Sequence, residues 1–242
     1  MTYLGFHFAF VLPPIVVLML VQRRPLGGAP RGTALRTLGL ITTLAFFYTI
    51  LWDNYIVFRG VWSYGVGRVL GTIAYAPVEE YAFFILQPVL TGLFYFFLRG
   101  RDILTARRTS APAHLRVAAT LFMSAVTGVG VGLIVWGSER VLYLGLILAW
   151  CSPVLTGLMW MGFEKIWPER RLILAAITVP TLYLCIADSI ALDLGIWSIS
   201  ERYSLGIDPL GLPIEEAVFF LVTNWMVVQC VAMLLPTKPA YA

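Results

Sequence analysis

Long apolar stretches, separated by short polar segments, run through the whole chain. Each holds roughly 20 residues, the length that an α-helix needs to cross about 30 Å of hydrocarbon. The short alternating segments typical of a membrane β-barrel are not the pattern here. We therefore predict an all-α polytopic membrane protein of about seven transmembrane helices. The predicted spans are residues 3–22, 34–56, 79–98, 115–136, 141–163, 172–192 and 214–236.

Composition supports lipid as the solvent for this chain. Apolar residues make up 60% of the sequence and charged residues 12%, against about 45–50% and about 25% in soluble domains. The first apolar stretch does not resemble a cleavable signal, because no basic segment precedes it and no small-residue cleavage site follows. Cys151, Cys185 and Cys230 fall inside predicted helices, where we expect them to pack as small apolar residues.

The basic residues predict the orientation in the membrane. Thirteen of the 17 Lys and Arg fall on one side of the predicted layout, and the positive-inside rule places that side in the cytoplasm. We expect a cell-membrane protein with its N-terminus outside and its C-terminus inside, and no nucleic-acid partner. The cytoplasmic set is Arg23, Arg24, Arg31, Arg36, Arg99, Arg101, Arg107, Arg108, Arg116, Lys165, Arg170, Arg171 and Lys238.

Two halves of the sequence match each other at nearly constant offsets. Near the N-terminal end of each half, Tyr3-Leu4-Gly5 matches Tyr143-Leu144-Gly145, 140 residues later. The other matches are 135 or 136 residues apart: Asp53 with Asp188, Gly60-Val61-Trp62-Ser63 with Gly195-Ile196-Trp197-Ser198, Pro77-Val78-Glu79-Glu80 with Pro213-Ile214-Glu215-Glu216, and Phe83-Phe84 with Phe219-Phe220.

This duplication predicts a 3+1+3 arrangement of helices. Residues 1–98 form the first repeat, 99–139 a cytoplasmic linker with the odd fourth helix, and 140–242 the second repeat. Because the fourth span restores the direction of the chain, the two repeats are parallel, related by an axis near the membrane normal. Both acidic motifs then lie at the same membrane face, and we expect a site between the halves.

Six of the 13 acids lie in the repeated motifs, and these are the candidate catalytic residues. A Glu after a Pro at a helix start also suits the helix dipole and serves there as a plain N-terminal charge. Two matched copies favour a functional role, since acids within a membrane span are costly. The candidates are Asp53, Asp188, Glu79, Glu80, Glu215 and Glu216.

Aromatic residues accompany each acidic motif. Phe83 and Phe84 return to the helix face of Glu80 after three and four residues, and Phe219 and Phe220 do the same for Glu216. The tryptophans of the repeat have two readings, as residues of the interfacial belt or as walls of a site. The candidate substrate-binding residues are Trp62, Trp197, Phe83, Phe84, Phe219, Phe220, Pro77 and Pro213.

Several kinds of site are excluded by the sequence. His7 and His114 stand apart and no Cys/His ligand spacing exists, so we expect no metal. Neither a G-x-G-x-x-G fingerprint nor a P-loop is present, so we expect no nucleotide cofactor. Lys165 and Lys238, which are the only lysines, lie outside the predicted spans, and this excludes a retinal Schiff base in the seventh helix.

The doubled Pro-x-Glu-Glu, the preceding Asp and the Gly-x-Trp-Ser between them resemble the membrane lycopene cyclase family over nearly the whole chain. The resemblance implies an enzyme, without cofactor, that closes the linear ψ ends of lycopene into β-ionone rings. It implies that a neutral carboxyl donates a proton to the terminal double bond, while an ionised acid steadies the carbocation. We favour Glu80 and Glu216 as donors because they align with the Phe pairs.

Other readings stay open at this stage. Within the same chemistry, the substrate could be a C50 carotenoid, or the product an ε or γ ring. A small-solute transporter with 3+1+3 parallel repeats would need polar residues along its path, and Gln87 and Asn224 are the exceptions in largely apolar mid-span positions. The expected partners are lycopene, membrane lipid and, from the resemblance, other enzymes of the carotenoid pathway.

Overall fold

The computed structural model describes residues 1–22, 25–101 and 110–236. Most of these residues are helical, as predicted. One short strand pair joins two loops, and another lies within a single loop. We number the helices α1 to α7 and the strands β1 to β4. The helices are α1 Tyr3–Val21, α2 Arg31–Phe58, α3 Val78–Gly100, α4 Ala113–Trp136, α5 Leu142–Ile166, α6 Arg170–Asp193 and α7 Ile214–Leu234. The strands are β1 Trp62–Tyr64, β2 Thr72–Ile73, β3 Ala76–Pro77 and β4 Trp197–Ile199.

Six helical segments of the described chain are long and apolar enough to cross a membrane, by length and composition. The longest, Glu139–Asp193, has 55 residues, and a straight helix of that length would extend about 80 Å. Its 3-10 turn Trp167–Glu169 separates α5 from α6. The seven-span layout therefore stays a prediction, while its coarser form, a helical protein with several membrane-type helices, is confirmed.

The first helix is irregular where two prolines follow each other. A π-helical turn, His7–Val11, precedes Leu12–Val21, because Pro13 and Pro14 have no N–H to donate to the previous turn. Pro14 cannot donate to the carbonyl oxygen of Phe10, four residues before it. That oxygen instead accepts a hydrogen bond from the Tyr183 hydroxyl at 2.6 Å. The irregular turn thus helps to join α1 to α6.

The two motif helices form the centre of the bundle. α3 packs against α1, α2, α6 and α7, and α7 also packs against α2, α5 and α6. By contrast, α4 packs chiefly along α5 and is the least buried of the candidate spans. A Cβ on Gly130 would lie 2.5 Å from the backbone nitrogen of Ala149, so a glycine is required for this close approach.

The matched Gly-x-Trp-Ser segments of the two halves pair with each other, which the sequence did not predict. β1 and β4 are antiparallel, with Ser63 opposite Ser198 at the centre of the register, and the two hydroxyl oxygens lie 2.8 Å apart. Trp62 lies opposite Ile199 and Tyr64 opposite Trp197. This pairing joins the loop after α2 to the loop after α6 above the helix bundle.

The opposite end of the bundle carries a buried arginine. Arg99 donates to Glu169 at 3.2 Å, to the Gly27 carbonyl at 2.9 Å and to the Pro236 carbonyl at 2.8 Å. These contacts hold together the chain ends of α3, α6 and α7 and the loop after α1. The predicted cytoplasmic residues Arg23, Arg24, Arg107, Arg108 and Lys238 lie outside the described residues.

Candidate active site

A small cavity lies between the two halves, at the helix starts of α3 and α7. Its volume is about 20 Å³, close to the space that one water molecule needs. We call it the acid cavity, because three carboxyl side chains line it. The lining residues are Tyr3, Phe6, Trp62, Glu80, Phe83, Leu184, Asp188, Trp197, Glu216, Phe219 and Phe220.

The Glu80 carboxyl is held by two phenol groups. The Tyr3 hydroxyl donates to its Oε2 at 2.7 Å and the Tyr64 hydroxyl donates to the same oxygen at 3.3 Å. Tyr64 lies on β1, outside the helices, and burial followed by the Glu80 charge raises the pKa of its hydroxyl well above the usual value. Tyr64 therefore stays a neutral donor. Tyr3 lies in the first turn of α1.

The Glu216 carboxyl has the matching contact from the second half. Tyr143, at the start of α5, donates to Glu216 Oε1 at 2.7 Å and accepts from the indole N–H of Trp62 at 3.0 Å. Ile199 occupies the position that corresponds to Tyr64. Glu216 therefore has a single phenol donor among the described residues, and the two carboxyl environments differ.

The first Glu of each pair has another task. Glu79 Oε1 accepts the backbone N–H of Leu70 at 2.9 Å, and Glu215 Oε1 accepts that of Leu205 at 2.7 Å. Neither residue lines the acid cavity, although all four glutamates are buried. Glu79 and Glu215 thus fasten the loops before α3 and α7, while Glu80 and Glu216 face the cavity.

The two repeated aspartates differ in their surroundings. Asp188 lines the acid cavity and accepts the indole N–H of Trp197 at 2.8 Å. Asp53 is buried but does not line the cavity. Oδ2 of each aspartate has no hydrogen-bond partner in the described part of the chain. Both lie more than a helical turn before their helix ends, because α2 and α6 continue to Phe58 and Asp193.

Trp62 and Trp197 are buried walls of the acid cavity. The Trp197 ring packs 4.7 Å from that of Tyr3, measured between centroids, and the Trp62 ring lies 6.1 Å from that of Phe219. This placement favours the site-wall reading over the interfacial belt. Pro77 and Pro213 do not line the cavity; each is the N-cap residue of its motif helix.

A larger apolar cavity, which we call the lateral cleft, adjoins the acid cavity between α2, α3, α5 and α7. Its volume is about 270 Å³, and Phe83 and Phe219 line both cavities. Phe84 lines the cleft but not the acid cavity. The other lining residues are Ile41, Leu44, Ala45, Tyr48, Thr49, Gln87, Pro88, Trp150, Val154, Thr223, Met226, Val227 and Cys230.

Comparison with known proteins decides the family. Lycopene beta-cyclase of Halobacterium salinarum is 40% identical over 232 residues, which cover 94% of this chain and 93% of that protein. The chain belongs to the lycopene beta-cyclase family.

Fungal relatives of this lycopene beta-cyclase family member are longer proteins. The bifunctional lycopene cyclase/phytoene synthase of Arthroderma gypseum is 35% identical over 250 residues, 95% of this chain and 41% of that protein. The corresponding protein of Phycomyces blakesleeanus is 32% identical over 241 residues, 94% of this chain and 38% of that protein. Neither a family model nor a solved structure matches the chain.

No cluster of three or more potential metal ligands occurs among residues 1–22, 25–101 and 110–236. His7 is buried, and its Nε2 lies 2.9 Å from the Glu79 carbonyl oxygen. Because a carbonyl only accepts, Nε2 carries the proton, and this bond connects α1 of this lycopene beta-cyclase family member to the start of α3.

The phenol donors were missed as site residues by sequence reasoning. Tyr3 and Tyr143 belong to matched segments of the repeat, so their signal was present but was used only for alignment. Tyr64 has no counterpart in the second half, and its contact with Glu80 depends on how β1 folds back. Together, these tyrosines give the acids of this lycopene beta-cyclase family member a hydrogen-bonded site that can hold or release a proton.

Proposed function

We propose that this protein is a lycopene beta-cyclase, which closes the linear ψ end groups of lycopene into β-ionone rings. The observation that carries the proposal is the acid cavity, where Glu80 from one half and Glu216 from the other line one space with aromatic walls. The relative from Halobacterium salinarum, which matches nearly end to end, supports the same reaction.

The reaction moves one proton in and one proton out for each ring. A neutral carboxyl, Glu80 or Glu216, gives its proton to the terminal double bond, and a tertiary carbocation forms. A neighbouring double bond attacks that cation and closes the ring. Loss of a ring proton to a carboxylate gives the β-ionone, so no electrons are exchanged and no redox cofactor is required.

The surrounding residues suit a carbocation. Phe83, Phe219 and Phe220 can each contribute about 0.5–2 kcal/mol of cation–π stabilisation, and they exclude water that would quench the cation. Asp188 is placed to balance the positive charge, since it lines the same cavity. Trp197 donates its indole N–H to Asp188, while Trp62 donates to Tyr143, which in turn donates to Glu216.

The proposed layout is seven spans in two parallel repeats, with the motif end outside the cell. Paired contacts support it: Tyr3 with Glu80 corresponds to Tyr143 with Glu216. The β1–β4 register is unchanged when the halves are exchanged, as a two-fold axis between Ser63 and Ser198 requires. A site in the cell membrane would also suit a hydrocarbon substrate, and other carotenoid enzymes are the expected partners.

Pigment analysis in cells that accumulate lycopene tests the proposal. Expression of the wild-type chain should convert lycopene to γ- or β-carotene, and Glu80→Gln and Glu216→Gln should each lower conversion at least tenfold. Glu164→Gln is the matched control, because the Glu164 side chain is 77% exposed and an exposed ion pair contributes little. Membrane levels of each variant are measured by immunoblot.

The outcomes separate the alternatives. Unchanged lycopene with well-expressed wild-type protein would contradict the proposed substrate, and C50 carotenoids would be tested next. A product with an ε or γ ring would agree with proton donation by a carboxyl group. It would show that the second proton leaves from a different carbon than in β-ring formation. Equal loss in Glu164→Gln would contradict a specific role for the cavity acids.

A further inference from the structure

The lateral cleft borders a row of nearly parallel aromatic rings, of which Tyr48, Trp150 and Phe219 line the cleft and Trp52 does not. The rings of Tyr48 and Trp150 lie 5.2 Å apart at 14°, and those of Trp150 and Trp52 lie 4.5 Å apart at 13°. Trp52 in turn lies 5.7 Å from Phe219 at 5°. The row therefore runs from Tyr48 to a residue that also lines the acid cavity. We call these four residues the aromatic ladder.

The outer end of the ladder is open to the bilayer. Tyr48 and Leu44 both line the cleft and are exposed on α2. The Tyr48 hydroxyl donates to the Trp150 carbonyl oxygen at 2.7 Å and spans the gap between α2 and α5. At the inner end of the cleft, Phe83 and Phe219 also line the acid cavity. The cleft thus extends from exposed residues of α2 to the walls of the acid cavity.

Gln87, whose side chain lines the cleft, belongs to a buried hydrogen-bond network. Gln87 donates through Nε2 to Asn224 Oδ1 at 2.5 Å, and Thr91 donates to the same oxygen at 2.6 Å. Asn224 donates in turn to Thr181 at 3.0 Å. These contacts join α3, α6 and α7 and satisfy the amide groups inside the bundle. Thr49 and Thr223 also line the cleft, and Thr223 donates to the Phe219 carbonyl at 2.7 Å. The other lining side chains are mostly apolar or aromatic, and none is charged.

The volume of the cleft limits how much of a ligand it can hold. About 270 Å³ is near the lower limit of sites that enclose a drug-sized ligand, about 300 Å³. A linear C40 hydrocarbon exceeds that size, so only the part next to the reacting end can fit. The remainder must stay in the lipid outside Tyr48 and Leu44.

We propose that the lateral cleft binds the conjugated chain of a linear polyene, which enters sideways from the bilayer between α2 and α5 and lies along the aromatic ladder. Because the rings of the ladder stack on one another, a chain that lies along the row presents its π-face to the ring edges, and π-systems favour this edge-to-face arrangement. The proposal rests on the proposed cyclase function. It adds where the part of the substrate that does not react is bound.

A binding measurement tests this proposal apart from catalysis. The double variant Glu80→Gln/Glu216→Gln lacks both candidate donors and serves as the parent. Lycopene is achiral and acquires visible circular dichroism when a protein holds it in one asymmetric conformation. We expect a visible band for the purified parent with lycopene, and its loss when Ala45→Trp fills the cleft. Leu40→Trp, on the exposed face of the same helix, should keep the band.

An activity arm uses the same substitutions in the wild-type chain. Ala45→Trp should lower conversion of lycopene at least tenfold, and Leu40→Trp should leave it within twofold of wild type. Should Ala45→Trp fail to accumulate in membranes, Val154→Phe fills the cleft from α5 instead. Normal band and conversion in the filled variants would overturn the proposal and leave the proposed function intact.

Failure of the proposed function would be distinguishable. Wild-type protein that binds lycopene with a visible band but does not convert it would contradict the cyclase reaction and support the cleft. A parent without any visible band would overturn the cleft proposal, whatever the activity of the wild-type chain.

Discussion

At the residue scale, the hydroxyl groups around the acids determine how each carboxyl can act. Hydrogen bonds to a carboxylate favour its charged form, and Glu80 receives two such bonds while Glu216 receives one. Sequence matching identified the four glutamates and favoured Glu80 and Glu216 as donors from their alignment with the Phe pairs, but it did not predict what the first Glu of each pair binds. The partners are backbone N–H groups of the loops, which bind Glu79 and Glu215.

Tyr143→Phe should therefore weaken the site without removing a carboxyl. The change deletes the donor to Glu216 and leaves the Trp62 indole N–H without its acceptor. A buried donor that loses its acceptor costs about 1–3 kcal/mol, and Glu216 also loses the contact that positions it, so we expect conversion to fall at least tenfold, as measured by pigment chromatography.

Tyr75→Phe is the control for that variant, since Tyr75 is exposed and lies outside the acid cavity. It should convert lycopene at the wild-type rate. Wild-type conversion by Tyr143→Phe as well would show that the phenol is not needed to position Glu216.

At the element scale, the β1–β4 pair connects the halves next to the acids. The helices were predictable, because lipid-facing segments show as long apolar runs. The strand pair was not, since each strand has three residues and neither alternates in polarity over enough positions to give a signal. Its partner is also more than a hundred residues away, so only tertiary contact brings the segments together.

Gly65→Ala tests the strand pair, because a Cβ at Gly65 would lie 2.3 Å from the Gly195 carbonyl oxygen. The clash should push β1 away from the loop before β4 and displace Tyr64 and Trp62 from the acids. We expect lower thermal stability of the purified protein, by several degrees in Tm, together with reduced conversion.

Gly71→Ala in the same loop provides the comparison. A Cβ there would meet nothing within 4 Å, so its Tm and conversion should stay near the wild-type values. Equal behaviour of the two alanine variants would mean that the close approach of the loops does not matter.

At the scale of the whole molecule, the duplicated layout brings acids from distant parts of the sequence to one end of the bundle. The offset of 135 to 136 residues predicted which segments correspond. It could not predict that Asp188 lines the cavity while Asp53 does not, or that a cleft opens between α2 and α5. The halves have also diverged at matched positions such as Tyr64 and Ile199, and only one of the two carboxyls therefore receives a second phenol.

The proposed orientation predicts which end is reached from outside the cell. Single cysteines would replace Glu201 at the acid end and Ser110 at the opposite end, both of which are exposed. A membrane-impermeant maleimide added to intact cells should label the cysteine at position 201, and the one at 110 only after the cells are opened. The reverse pattern would place the acids in the cytoplasm.

The central claim is that a proton from a carboxyl group starts ring closure. The most direct test is to measure whether deuterium from the solvent enters the product. Purified protein in liposomes that contain lycopene would be turned over in D2O, and the product analysed by mass spectrometry. Because an exchangeable carboxyl proton enters the carbon skeleton once per ring, the account predicts one deuterium for each ring formed. Rings formed without deuterium would contradict it.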